Sequence, residues 1–121
     1  TEEDVDYINA HAPSTQMGDV AEIKALRRVF HAKKLRPAIS STKSLTGHAL
    51  SMASILEAAI SVLALRDGFV PGSANFEEPE EGAEDLNIVT KTEERPIRRL
   101  LTNSSGFGGA NVSLVFEKSG D

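Results

Sequence analysis

The chain has 121 residues, a length that fits one domain of ordinary size or half of a larger one. Hydrophobic residues make up 40% and charged residues 26%, a balance that excludes the composition typical of disordered chains. The net charge of −5 argues against a general nucleic-acid binder, and the absence of cysteine excludes disulfides, thiolate metal sites and a cysteine nucleophile within these residues.

Strands and helices are predicted to alternate in the first part of the chain. The acidic start, Thr1–Asp4, is unlike a secretory signal, and together with the lack of disulfides it leads us to expect a cytoplasmic protein. Val5–Asn9 alternates apolar and polar residues and predicts a short strand. An apolar stripe at helical spacing then predicts a helix over about 18–33, capped by a preceding hydroxyl side chain. Ala38–Ser40 is a candidate second strand.

The next predicted helix, Ala49–Leu65, is apolar on every face and carries Glu57 as its one charge. Such a helix is expected to be buried on all sides. A membrane span is the rival interpretation, disfavoured by the short length, by Glu57 and by three serines. Because a small domain rarely encloses a helix completely, we expect part of its cover to come from another polypeptide or a further half. Gly68 is predicted to end the helix as a left-handed cap.

Loops and strands follow. Pro71–Asp85 is rich in acidic residues, and we interpret it as a solvated loop and not as a metal site. Leu86–Val89 predicts a strand. Leu100–Asn103 and Val112–Phe116 predict two more, joined through the glycine-rich turn Gly106–Gly109. This order of elements predicts a layered α/β fold with helices packed on a mixed sheet.

Three motifs could carry chemistry. Asn9–His11 stands at a predicted strand end, a common active-site position in α/β folds, although a lone histidine there is more often structural. Thr42–His48 places a lysine and a histidine five residues apart at a helix start, where the positive dipole and hydrogen-bond donors favour developing negative charge. Glycines in Gly106–Gly109 allow close backbone approach to a ligand, but Asn111 stands where a dinucleotide-binding motif needs a glycine.

Taken together and in this order, these motifs resemble the C-terminal half of a β-ketoacyl-acyl-carrier-protein synthase. The resemblance rests on Asn9–His11 with the following Ser14, Thr15, Gly18 and Asp19, on Thr42–His48, and on Asn103–Asn111. It implies a thiolase-like fold, in which two similar α/β halves pair within a homodimer. We therefore expect residues 1–121 to form one C-terminal ketosynthase domain of a larger enzyme.

The resemblance also implies a reaction, the decarboxylative Claisen condensation of fatty-acid or polyketide synthesis. A cysteine in the N-terminal half accepts the acyl group from acyl carrier protein, which carries acyl and malonyl groups on phosphopantetheine. The malonyl group loses carbon dioxide, and the resulting carbanion attacks the acyl thioester. The resemblance implies no cofactor, no metal, no nucleic acid and no membrane.

Residue roles follow from the resemblance alone. His11 and His48 match two histidines that donate hydrogen bonds to the thioester oxygen where negative charge accumulates. Lys43 matches a lysine that orders the polar network near His48, and Glu57 matches a buried glutamate of that network.

Other positions match supporting groups. The backbone N–H of Phe107 matches an oxyanion-hole donor, and its ring resembles a gate beside the acyl pocket. Gly106 and Gly108 support this turn, and Thr15 retains a hydroxyl expected near the pantetheine arm. The basic segment Lys24–Arg36 could attract an acidic carrier protein, although basic residues in such a segment more often form a solvent-exposed helix face. His31 within it is expected to be solvated or at a helix C-terminus.

Some residues depart from the family pattern. Ala12 and Pro13 replace a glycine and a threonine, which removes one expected pantetheine contact, and Ser105 replaces a phenylalanine. Two alternatives therefore stay open: a non-catalytic partner of the chain-length-factor type, and a small binding module. A cysteine in the upstream sequence would favour the enzyme, whereas a glutamine or glutamate in its place would favour the partner.

Overall fold

The computed structural model describes residues 1–11, 16–43, 52–73, 85–105 and 110–120, with the backbone alone for 16–19 and 53. Seven strands fall within these ranges: β1 Tyr7–Asn9, β2 Ala38–Ser40, β3 Phe69–Val70, β4 Asn87–Ile88, β5 Glu93–Glu94, β6 Arg99–Ser105 and β7 Asn111–Glu117. Two α-helices accompany them, α1 Gln16–Val29 and α2 Ala53–Asp67, with short 3-10 helices at Glu2–Asp4 and His31–Lys33.

A five-stranded mixed sheet in the order β4-β2-β1-β6-β7 forms the centre of the fold. Strand β1 is parallel to both β2 and β6, β2 is parallel to β4, and β7 returns antiparallel to β6. Strands β3 and β5 form a separate antiparallel pair. The predicted mixed sheet packed with helices is thus confirmed, while β3 and β5 escaped prediction because two-residue strands carry no readable alternation.

The two helices lie on opposite faces of the sheet, because successive side chains of β1 point to opposite sides. Tyr7 belongs to an apolar cluster with Ala64 and Leu65 of α2. Ile8 belongs to another cluster with Leu26 and Phe30 near the end of α1.

Left-handed residues end helix α2 and the 3-10 turn that follows α1. Gly68 has φ 72° and its N–H donates to the carbonyl of Ala64, so the predicted cap is confirmed. The first helix was predicted to run to Lys33, but it stops at Val29; a 3-10 turn follows and closes at Lys34 with φ 60°. The apolar residues keep helical spacing across this point, so the sequence pattern did not predict the change from α-helix to 3-10 helix.

Helix α2 is not buried on all sides within this chain. Its buried face carries Glu57, Ser61 and Ala64, whereas Ile55 is 72% exposed and Met52, just before the helix, is 68% exposed. Such an exposed apolar face matches the expectation that part of the cover lies outside these residues. In the described ranges, no helix has both the length and the apolar character needed to cross a bilayer.

Candidate active site

The carboxyl ends of three parallel strands meet at one edge of the sheet, hereafter the carboxyl edge. Asn9 at the end of β1 is in register with Ser40 of β2 and Thr102 of β6. His11 follows β1 by two residues and Lys43 follows β2 by three, so both emerge at this edge. The topology therefore brings together two of the residues that the sequence singled out, although 32 positions separate them.

The backbone at His11 is held by Glu22 of α1. The N–H of His11 donates to Glu22 Oε1 at 2.8 Å, and Asn103 Nδ2 of β6 lies 3.5 Å from the same oxygen. One carboxylate thereby links the ends of two neighbouring strands. Sequence reasoning missed Glu22; its signal is that it precedes the core residue Leu26 by four positions, which places a charge on the face turned toward the sheet.

A buried ion pair joins the segment after β2 to helix α2. Lys43 Nζ donates to Glu57 Oε1, and the two side chains are 5% and 1% exposed. Removing two charges from water costs several kcal/mol per ion, so such a pair persists only in close, well-satisfied geometry. The pair fixes Lys43 as a charged donor beside the carboxyl edge. The sequence indicated the burial of Glu57 both through the all-round apolar helix that carries it and through the family resemblance.

An amide and two hydroxyls extend this polar layer. Asn9 Nδ2 lies 3.3 Å from Thr42 Oγ1 and 3.3 Å from Ser61 Oγ. Thr42 adjoins Lys43 in the chain, and Ser61 stands one helical turn after Glu57. All of these side chains are buried, so the polar layer lies beneath the carboxyl edge and not on its surface.

Tyr7 marks the far side of the same layer. Its hydroxyl lies 2.8 Å from Ser40 Oγ, and the ring is fully buried. Burial raises the pKa of Tyr7 to about 12; the negative charge of Glu57 acts in the same direction, and the hydrogen bond with Ser40 opposes it. The phenol therefore stays neutral at any physiological pH.

The loop after β2 is anchored from another segment. The N–H of Ser41 donates to Ser73 Oγ at 3.0 Å, and the N–H of Ser73 donates to the carbonyl of Val89 at 2.9 Å. Both serines are buried. The backbone that leads to Lys43 is thus fixed on the side away from Asn9.

Several candidate residues lie outside the described ranges: Thr15, His48, Gly106, Phe107 and Gly108. We expect His48 and the Gly106–Gly109 turn to share one cleft with His11 and Lys43, and this stays a prediction, as do the effects of Ala12 and Pro13. Ser105 is the last residue of β6 and is exposed.

His31 does not belong to the carboxyl edge. Its side chain is 47% exposed, and Nε2 lies 3.8 Å from Asp85 Oδ2, which also accepts from Arg27 at 2.9 Å. This is the solvated position that the sequence predicted. Within the described ranges no group of three or more histidine, cysteine, aspartate and glutamate side chains could hold a metal ion.

Comparison with known proteins gives concordant matches. The family model "Beta-ketoacyl synthase, C-terminal domain" matches residues 1–77. The 3-oxoacyl-[acyl-carrier-protein] synthase 1 of Escherichia coli (strain K12) is 49% identical over 117 residues, which are 97% of this chain and 28% of that protein. The chain thus spans little more than a quarter of the length of this curated relative.

Solved structures agree. A structure of a type II polyketide synthase acyl-carrier protein in complex with its ketosynthase, AntDE:AntF, superposes with a TM-score of 0.92 at 30% identity, covering 99% of this chain and 29% of that one. The ishigamide ketosynthase/chain length factor superposes with a TM-score of 0.90 at 31% identity, with the same coverage.

Proposed function

The chain belongs to the β-ketoacyl synthase family, and from this premise we propose that the longer protein it is part of catalyses decarboxylative Claisen condensation between a malonyl and an acyl thioester. In this proposal residues 1–121 form the C-terminal domain of a transferase of fatty-acid or polyketide synthesis. The observation that carries it is the placement of His11 and the buried Lys43–Glu57 pair at one edge of the sheet.

The proposed chemistry proceeds in three steps. A cysteine thiolate of the N-terminal half attacks an acyl thioester on the carrier protein and becomes acylated, releasing the pantetheine thiol. The bond between the malonyl Cα and its carboxylate then breaks, carbon dioxide leaves, and the electron pair remains as an enolate. Finally the enolate carbon attacks the acyl-cysteine carbonyl, a carbon–carbon bond forms, and the cysteine leaves as a thiolate.

Residues of this chain act on the second and third steps. His11 and His48 donate hydrogen bonds to the malonyl thioester oxygen, where charge develops on decarboxylation. Lys43, held by Glu57, orders the polar surroundings of His48. The N–H of Phe107, in the turn with Gly106 and Gly108, donates to the oxyanion formed on attack. Thr15 holds the pantetheine arm.

Partners complete the proposal. Acyl carrier protein delivers both thioesters, and the structure of a carrier protein bound to the ketosynthase AntDE supports a carrier-protein partner. The N-terminal half covers the exposed face of α2, since this chain spans 28% of its curated relative and leaves Met52 and Ile55 in solvent. A homodimer and a cytoplasmic location belong to the same proposal.

The test separates two half-reactions in the full-length enzyme. His11→Ala and His48→Ala are each expected to slow malonyl-thioester decarboxylation by about 10²–10³, the usual effect of losing one donor to a developing oxyanion, while acyl transfer to cysteine continues. His31→Ala is the matched control, because that histidine is solvated and remote from the carboxyl edge. Equal losses in both half-reactions would contradict the proposed roles.

A non-catalytic partner subunit is the second candidate, favoured by the structural match to a ketosynthase/chain length factor. Retention of His11, Lys43 and His48 favours the enzyme, because such a partner does not need donors to an enolate. Incubation of the full-length protein with acyl-loaded acyl carrier protein decides between them: an acyl-cysteine adduct supports the enzyme, and its absence supports the partner.

A further inference from the structure

Asn9 occupies the point where three elements of the candidate site meet. It is the last residue of β1, it is 0% exposed, and it stands two residues before His11. Its side chain points to the same face of the sheet as Tyr7, the face covered by α2. The proposed chemistry assigns it no step.

Two hydrogen bonds connect Asn9 to both sides of the Lys43–Glu57 pair. Nδ2 lies 3.3 Å from Thr42 Oγ1, on the residue that immediately precedes Lys43. It also lies 3.3 Å from Ser61 Oγ, four residues after Glu57 and therefore on the same face of α2. The amide thus bridges the two elements that hold the ion pair, and β1 carries that link on to His11.

The other end of the amide is unsatisfied. Asn9 Oδ1 is buried and has no hydrogen-bond partner among the described residues. Exchanging the two ends of the amide would only move the unsatisfied atom to Nδ2. Burying a polar atom without a partner is unfavourable, and a small apolar residue at the same place would bury no such atom. Stability alone therefore does not account for an asparagine here.

We propose, resting on the proposed function, that Asn9 is a positioning residue for the condensing site. It holds the end of β1, the Thr42–Lys43 segment and the Glu57–Ser61 face of α2 in one fixed arrangement. Loss of this bridge lets Lys43 and His11 shift relative to each other. Misplacement by about 1 Å at a reacting centre lowers rates by as much as 10², even when folding is intact.

The experiment measures both half-reactions in the full-length enzyme carrying Asn9→Ala. Decarboxylation is expected to fall about tenfold to a hundredfold in kcat with little change in KM, whereas acyl transfer to cysteine is retained. Ser61→Ala, which removes only the helix-side partner, is expected to give a smaller loss in the same direction. If Asn9→Ala does not fold, the Ser61→Ala result decides the question by the same criterion.

Tyr7→Phe is the matched control. Tyr7 is on the same strand and face and is equally buried. Its replacement by phenylalanine removes the hydrogen bond to Ser40 of β2, which involves neither Thr42 nor Ser61. It should lower thermal stability without changing the ratio of the two half-reaction rates. The inference is overturned if Asn9→Ala and Tyr7→Phe change that ratio alike, or if neither changes it in an active enzyme. A wild-type enzyme that decarboxylates no malonyl thioester would overturn the proposed function itself, and this inference with it.

Discussion

The Lys43–Glu57 pair makes a quantitative prediction about stability. Glu57→Leu leaves Lys43, which is 5% exposed, buried without its counter-charge. Breaking a buried pair in this way costs about 3–5 kcal/mol, whereas replacing both ions by apolar groups of similar volume is often neutral or stabilising. We therefore expect Lys43→Met and Glu57→Leu each to be strongly destabilising, and the double variant to unfold near the wild-type midpoint.

Urea unfolding of wild type, the two single variants and the double variant, followed by far-ultraviolet circular dichroism, gives the coupling energy between Lys43 and Glu57 directly. A coupling of several kcal/mol is expected, against a total stability of about 5–15 kcal/mol for a typical domain. The matched control is the surface pair of Arg27 and Asp85, whose side chains are 39% and 48% exposed and whose removal should show little coupling. Additive effects at Lys43 and Glu57 would refute the buried, charged pair.

Further predictions concern the tyrosine, the exposed helix face and catalysis by the isolated chain. Tyr7 is the sole tyrosine of these 121 residues, so phenolate absorbance of the isolated chain should report its titration alone, near pH 12 instead of 10. A raised phenol pKa means that folding favours the neutral form of Tyr7. The free energy of unfolding that wild type gains over Tyr7→Phe should therefore be complete below pH 10 and fall as the pH rises toward 12. A difference in urea midpoints that does not depend on pH would contradict this. The isolated 121-residue chain should self-associate through α2, and Ile55→Glu should reduce its light scattering, whereas unchanged scattering would point to another contact. The same chain should form no acyl-enzyme, since it holds no cysteine.

Local patterns sufficed for the larger elements of the fold. The short apolar segments Leu100–Asn103 and Val112–Phe116 predicted two strands, which the structure extends to Arg99–Ser105 and Asn111–Glu117. Their pairing adds residues at both ends that have no apolar alternation of their own. Long-range pairing, and not local sequence, therefore sets the strand limits.

The carboxyl edge was only partly predictable for a similar reason. His11 and Lys43 are conspicuous at strand ends, and parallel pairing of β1 and β2 brings those ends together. Glu22 was not predicted, and Asn9 was noted only as part of the Asn9–His11 motif, because each acts through distant partners. Glu22 binds the backbone of His11, and Asn9 reaches Ser61, 52 residues away. A sequence displays residue types and spacing, but it does not display which distant hydroxyl an amide will meet.

The face of α2 illustrates how composition can mislead about burial. An all-round apolar helix was expected to be enclosed, yet the side turned to the sheet near Lys43 carries Glu57 and Ser61. Apolar side chains at that face would stabilise the chain about as well as an ion pair that must be desolvated. Two demands on α2 explain this arrangement together. Its polar inner face holds charge beneath the carboxyl edge near His11 and Lys43, and its apolar outer face packs on the rest of a larger enzyme. The double variant described above separates these two demands: it should fold as well as wild type and yet, in the full-length enzyme, fail to support decarboxylation.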